Sequence, residues 1–466
     1  MTNLIGKTAY NHMDVRALSG GTIKLNGLTS ISQGYLDVWS EGAASFIDLS
    51  ALTEWNSKGA SYLQAIGNGT ILAPNLKRMI DIIATLRPNG ILSTEQWEST
   101  NGGTVVADGV NVVLPNLVAG DQTSFIARNG GGLTLPALSS YAAGGYNGYT
   151  PQFKAEGAGS LLDLSSLTDL VGKTAYNYMY VRAFSGGRLV MNSVTSIDDG
   201  YLDMWCDGEE SFIDASGLTH WNPWAISYMR ASAGGAIQLA DVLDIEAVQV
   251  TIDPEGTLLL SELRVQASST LKGTGTLRAH VVNKGTLAPD HNTVGLTIDG
   301  DLTLTDTSDL RFTFSGNSPG DEYDQLHVTG ALTMGGKFSI EWKNNFEPTS
   351  GESFQLIDVA SFAGYFETYT NLSIGAPNSN SDTELEPELS ATSLALRTTN
   401  HLGAKVTSIG PALRLEAPLD GIDVTFSEPI LGGTFTLADI LISGPGGIIN
   451  PVEIRQQTPT QFRIEL

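Results

Sequence analysis

Apolar and polar positions along the chain repeat in a seven-letter pattern that does not fit a helix. IDLSALT at 47–53 returns in altered form as IKLNGLT (23–29), ILAPNLK (71–77), VVLPNLV (112–118), LTLPALS (133–139), LDLSSLT (162–168), LVMNSVT (189–195), IDASGLT (213–219) and IQLADVL (237–243). Each copy is apolar at its first, third and sixth letters and carries a small or turn-forming residue at its fourth. Apolar alternation over three residues followed by a turn predicts a short strand and a corner, and Gly-Gly pairs at 20–21, 102–103, 186–187 and 234–235 predict further turns. Where spacing is regular the copies start about 24 residues apart, inside the period of stacked-repeat architectures. The pattern therefore predicts an all-β parallel β-helix, with successive coils about 4.8 Å apart and like side chains in internal ladders. About eleven coils between residues 23 and 258 make a rod of roughly 50 Å at that spacing. A leucine-rich repeat fits less well, because it needs an Asn or Cys ladder and a helical return.

A long duplication is the most specific feature. Gly6 to Asn56 and Gly172 to Asn222 are identical at 32 of 51 positions, and the alignment runs without a gap from about residue 2 to about 92. The shift of 166 residues equals about seven coils. NLKRMIDIIATL (75–86) reads as a helix on its own, but its counterpart DVLDIEAVQVTI (241–252) is β-branched and alternating, so both are predicted strands.

After about residue 250 the texture changes. GTGTL, VVNKGTLAPD, IDGDLTL and DQLHVTGALTMGGKFSI, all between 272 and 340, are similar to the β-helical stem of autotransporter-like and other large bacterial surface proteins, with Pro289-Asp290 where that family usually has Pro-Gly. APNSNSDTELEPELS (376–390) is polar and acidic enough to remain extended. IDVTFSEPI (422–430) and FTLADILISGPGG (435–447) resemble the opening strands of a bacterial immunoglobulin-like surface module. The organisation expected is a parallel β-helix over 1–250, a β-rich stem or cap continuing the solenoid over 251–375, a linker and edge strand over 376–402, and a partial Ig-like β-sandwich over 403–466. Met1 aligns within the second copy's repeat and QFRIEL (461–466) stops inside a strand, so both ends are expected to be cuts in a longer surface protein. The resemblance implies an extracellular or bacterial cell-surface location.

A formal charge of −25 with no basic cluster argues against nucleic acid and against an anionic membrane surface. No apolar run reaches the roughly 20 residues that a membrane-spanning helix needs. The single cysteine, Cys206, stands where the first copy has Ser40, which predicts an incidental buried thiol.

Residues that recur between the copies are the candidates for contact: Trp39 with Trp205, Trp55 with Trp221, Asp37 with Asp203, Tyr10 with Tyr176 and Arg16 with Arg182. Packing across coils accounts for such rings, and turns account for Asp in IDLS. Exposed, the same Trp and Asp residues suit a polysaccharide or cell-surface glycan, because rings cover sugar faces and carboxylates accept hydroxyls. The reading adopted is a non-catalytic structural or adhesive rod, with end-to-end self-association through exposed terminal coils. The alternative is a polysaccharide lyase or glycoside hydrolase using Asp198, Asp199, Asp203, Glu209, Glu210 and Arg182, and convergence of those aspartates on Arg182 discriminates the two. No cofactor is expected. Calcium is chemically compatible with DPEG (253–256), DHN (290–292) and SPGDEYD (318–324), but no calcium-loop spacing supports it.

Overall fold

The computed structural model describes residues 2–7, 11–145, 149–175, 177–290, 295–372, 383–400, 406–410, 420–426, 430, 435–440, 442–444 and 447–466. Two units are compact: Met1–Leu372 with Leu385–Arg397, and Ser373–Glu384 with Thr398–Leu466.

The larger unit is a parallel β-solenoid, and the repeated heptad supplies its interior. In the copies at 47–53, 71–77, 133–139, 162–168, 189–195 and 213–219, the first, third and sixth residues are all buried. Between the third and sixth letters lies a tight turn, as in Leu52 N–H to Leu49 O at 2.9 Å and Leu167 N–H to Leu164 O at 2.9 Å. The aspartate of the motif braces that turn: Asp48, Asp163 and Asp214 accept the backbone N–H of Ser50, Ser165 and Ser216. The ninth copy slips by one, and Leu243 rather than Val242 enters the interior.

One parallel face runs unbroken from Met13–Leu18 to Thr368–Thr370. Its strands alternate strictly where they are longest: Met179–Phe184 and Leu202–Asp207 bury every second residue. Interior rings stack as ladders, with Phe125 and Phe153 at 6.0 Å and Phe312 and Phe338 at 5.4 Å. The parallel stacking passes residue 250 without interruption. Beyond it, Ser393–Asn400 pairs antiparallel with Ser353–Gly364 and so occupies an edge that parallel stacking would leave open.

A second face is divided. Thr22–Lys24, Phe46–Asp48, Thr70–Leu72 and Ile91–Leu92 form a four-stranded sheet, and pairing resumes only at Asn111–Val113 with Gly132–Thr134. A slot of about 410 Å³ opens at the break and reaches Leu92 and Val112, which are only half-buried there. At the corresponding place in the second copy Leu258 is fully buried, paired with Ile237 on one side and Leu277 on the other.

The duplication holds at the level of single torsions. Left-handed φ angles recur at the shift of 166: Ser19 and Ser185 at 50° and 54°, Asp81 and Ala247 at 58° and 53°, Asn89 and Glu255 at 63° and 62°. The stretch that reads as a helix on its own and its alternating counterpart are both strands: Arg78–Leu86 in one copy, Val242–Ile245 and Val248–Ile252 in the other.

The smaller unit is an antiparallel sheet of Val406–Gly410, Gly421–Phe426, Gln461–Glu465 and Glu453–Thr458, with a separate hairpin of Ile442–Gly444 and Gly447–Ile449. Val424, Phe426, Phe462 and Ile464 form its core, and Phe435 sits edge-on to both phenylalanines. This arrangement fits a partial β-sandwich. Part of the Ig-like stretch lies outside the described residues, as do residues 376–382 of the polar linker, whereas Thr383–Leu389 is a strand.

Candidate functional site

Because Leu202, Met204 and Cys206 point inward, the residues between them face out. Parallel pairing then sets Tyr180, Asp203 and Tyr228 side by side, Arg182, Trp205 and Arg230 beside them, and Phe184, Asp207 and Ser232 in a third row. The nine positions form a grid on the long face. Trp205 is its centre: the Arg230 guanidinium lies 4.8 Å from the ring centroid, Arg182 lies 6.0 Å away, and Phe184 packs edge-on at 5.0 Å. The indole N–H donates to Ser232 Oγ at 2.9 Å, and Ser232 donates in turn to Asp207 at 2.5 Å. Held from several directions, the indole keeps one orientation at half-buried exposure.

Asp203 stands 3.8 Å from Arg182, and burial raises its carboxyl above the ordinary range while Arg182 and Arg230 pull it down. A cleft of about 450 Å³ lies alongside, lined by Asp203, Trp205, Tyr228, Arg230, Asp253 and Lys272 among others. Arg230 is itself paired with Asp253 at 2.5 Å, so the cleft wall carries closely matched charges of both signs.

The first copy repeats the grid with exchanges: Asp14 beside Asp37, then Arg16, Trp39 and Gln64 in one row. Arg16 lies 4.9 Å from the Trp39 centroid, and the buried Trp39 Nε1 has no hydrogen-bond partner among the described residues. Each aspartate also has a trio of rings beside it. His12 sits 5.2 Å from Tyr35 and 5.8 Å from Tyr62, and its Nδ1 is 2.7 Å from Asp37. In the second copy Tyr178 takes the place of His12, 5.6 Å from Tyr201 and 5.3 Å from Tyr228. Burial and a hydrogen bond with Tyr228 push the Tyr178 hydroxyl up to about 12.

Of the candidates Trp39, Trp205, Asp37 and Asp203, strand alternation turns all four outward; Trp39, Trp205 and Asp203 are half-buried, whereas Asp37 is buried beneath His12 and accepts the Tyr62 backbone N–H. Trp55 and Trp221 are corrected: both are fully buried, and neither ring reaches solvent. Trp55 pairs with Ile31 and Met79, both buried, in an interior row of a third side of the coil, to which Ser30–Ser32 and the start of Glu54–Ile66 belong. Tyr10 and Tyr176 lie outside the described residues. The tyrosines at 35, 62, 201 and 228 were not singled out, although Tyr35 with Tyr201 and Tyr62 with Tyr228 recur at the same shift of 166.

The family scan and the comparison with curated proteins returned no match. Geometry is therefore what bears on function.

The acidic residues proposed for catalysis do not converge. Asp203 meets Arg182, but Asp198 accepts a hydrogen bond from Ser196 and Asp199 accepts one from the Trp224 indole, and neither lines the cleft. Among the described residues no group of three or more His, Cys, Asp or Glu side chains is placed to hold a metal ion. Of the calcium candidates, Asp253 is paired with Arg230, and Glu322 accepts the backbone N–H of Asn317 and Ser318. His291 and Asn292 lie outside the described residues.

Proposed function

We propose that this chain is a non-catalytic, extracellular or cell-surface rod that holds saccharide chains along its long face, as part of a larger bacterial surface protein. The observation that carries the reading is that Trp39 and Trp205 occupy one register row. Pairing runs Trp39, Gln64, Thr85, Val106, Ile126, Lys154, Arg182, Trp205, which is seven rungs. At about 4.8 Å per rung the two grids lie roughly 34 Å apart along the sheet. An outward indole, a neighbouring carboxylate and clustered tyrosines supply apolar faces and hydroxyl acceptors, and repetition lets weak contacts sum. The smaller antiparallel unit is read as an Ig-like tether.

A lyase or hydrolase centred on Asp203 is the second reading, favoured by the raised carboxyl of Asp203 beside Arg182 and Arg230. Incubation with neutral and acidic polysaccharides, with and without calcium, separates the two. Retention on the polymer without release of new chain ends, weakened at least tenfold by Trp205→Ala, is the expected result. Release of chain ends that disappears in Asp203→Asn supports the enzyme and overturns the proposal.

A further inference from the structure

A cavity of mixed polar and apolar lining opens beside an interruption in the first copy's strand pairing. Glu54–Ile66 and Arg78–Leu86 pair from Asn56 with Ile80, then resume at Ser61 with Ile82, so residues 57–60 bulge opposite the single residue Asp81. Asp81 takes a left-handed φ of 58° at that corner, and its twin Ala247 takes 53°. The corner therefore does not need a carboxylate: alanine adopts the same torsion in the same place, although aspartate is among the residues that tolerate it best.

Asp81 is half-buried and has no hydrogen-bond or ion-pair partner among the described residues, and burial alone raises its carboxyl. A half-desolvated carboxylate left unpaired is costly unless something outside the chain completes it. It opens onto a cavity of about 460 Å³, lined also by Lys58, Ile80, Ile83, Asn101 and Gln122. Ile80 is exposed and Ile83 half-buried, which gives an apolar shelf, while Asn101, Gln122 and Asp81 put amide and carboxylate groups around it. Gly102 permits the arrangement: a Cβ there would fall 2.3 Å from the Asp81 Oδ1. In the second copy Lys58 is replaced by Trp224, whose indole N–H is given to Asp199. Ile80 and Ile83 are replaced there by Glu246 and Gln249, so the apolar shelf is absent along with the carboxylate.

We infer that the cavity around Asp81 is a second saccharide subsite, taking one or two neutral pyranose units with a ring face on Ile80 and Ile83 and adjacent hydroxyls donated to the Asp81 carboxylate. Paired hydroxyls satisfy a carboxylate without a full counter-charge, and a ring's C–H face matches the shelf. The inference shares the class of ligand with the proposed function but not the site, so each can fail alone.

The test uses the full chain carrying Trp39→Ala and Trp205→Ala, which removes both grid indoles. Neutral hexasaccharides of gluco-, galacto-, manno- and xylo- type are screened by saturation-transfer NMR and titrated by calorimetry. Binding of at least one hexasaccharide is expected, weakened at least tenfold when Asp81→Ala is added. Asp81→Ala carries the residue its twin already has, so the corner is expected to fold, and circular dichroism checks that it does. Absence of binding by all four hexasaccharides, or equal binding with and without Asp81→Ala, overturns the inference. A titration in which calcium alone binds and Asp81→Ala abolishes it overturns it as well. Grid-dependent retention by the unaltered chain alongside any of these negatives leaves the proposed function standing.

Discussion

At the scale of the residue, the two pairs of recurring tryptophans have opposite roles. Trp39 and Trp205 alternate with buried Val38 and Met204 in strands of six residues, so their outward direction was legible from period two alone. Trp55 and Trp221 sit just past the repeated motif on the third side, where His220–Trp221 is a strand of two residues. Alternation cannot be read over two residues, and Trp55 lies in the three residues Glu54–Asn56 that pair before the bulge in Glu54–Ile66; recurrence by itself does not separate an interior ring from a contact ring. Trp55→Ala or Trp221→Ala is expected to cost about 3–5 kcal/mol through lost burial and a residual cavity. Trp39→Ala and Trp205→Ala are expected to cost clearly less, and urea denaturation midpoints of the four variants make the comparison. Cys206 was legible from its place opposite Ser40: it points inward, and burial pushes its thiol up to about 12. It should resist a thiol reagent such as dithionitrobenzoate in the native state and react fully once denatured.

At the scale of the element, corners and breaks carry what the repeat does not state. The heptad anticipated the strand-and-turn unit down to the buried letters, because each apolar position sees the same neighbour one coil away. The slot between Ile91–Leu92 and Asn111–Val113 was not legible, since VVLPNLV keeps the motif while its strand is paired on one side only, with Gly132–Thr134. Amides around Leu92 and Val112 should exchange with deuterium faster than those around Leu258, which has a strand on each side. Near the slot, Asp108 joins three residues of neighbouring rungs. Burial works to raise its carboxyl, but hydrogen bonds from Arg128, Asn129 and Arg87 outweigh that and hold it at about 2. A carboxyl depressed below its ordinary value of 3.8 contributes stability that is full above that pH. That contribution fades as pH falls and is gone below about 2. Thermal melts from pH 5 to 2 should therefore drop less steeply for Asp108→Asn than for the parent chain.

At the scale of the larger unit, the duplication fixes a spacing. A shift of 166 residues becomes seven rungs of one continuous sheet, which returns the same outward positions to the same row. Fold class and repeat period were legible because they follow from apolar spacing, which depends only on local periodicity, whereas the coil count was read only as far as residue 258 and the stacking runs on to Thr368–Thr370. The grid and the trios of rings were only half legible, because they require knowing which rungs touch. The Asp81 cavity was not legible at all, as it arises where a bulge interrupts the period. End-to-end association of rods is a separate expectation, checked by light-scattering mass across a concentration series. A concentration-independent monomer mass contradicts it.

The most direct measurement is affinity as a function of saccharide length, made on the parent chain and on Trp39→Ala and Trp205→Ala. Two grids on one face should give a steep rise once the ligand exceeds about 34 Å, and either substitution should flatten it to the shallow slope of a single site. A length dependence that is flat in the parent chain, or unchanged by both substitutions, contradicts the account of this face as a duplicated saccharide-binding surface.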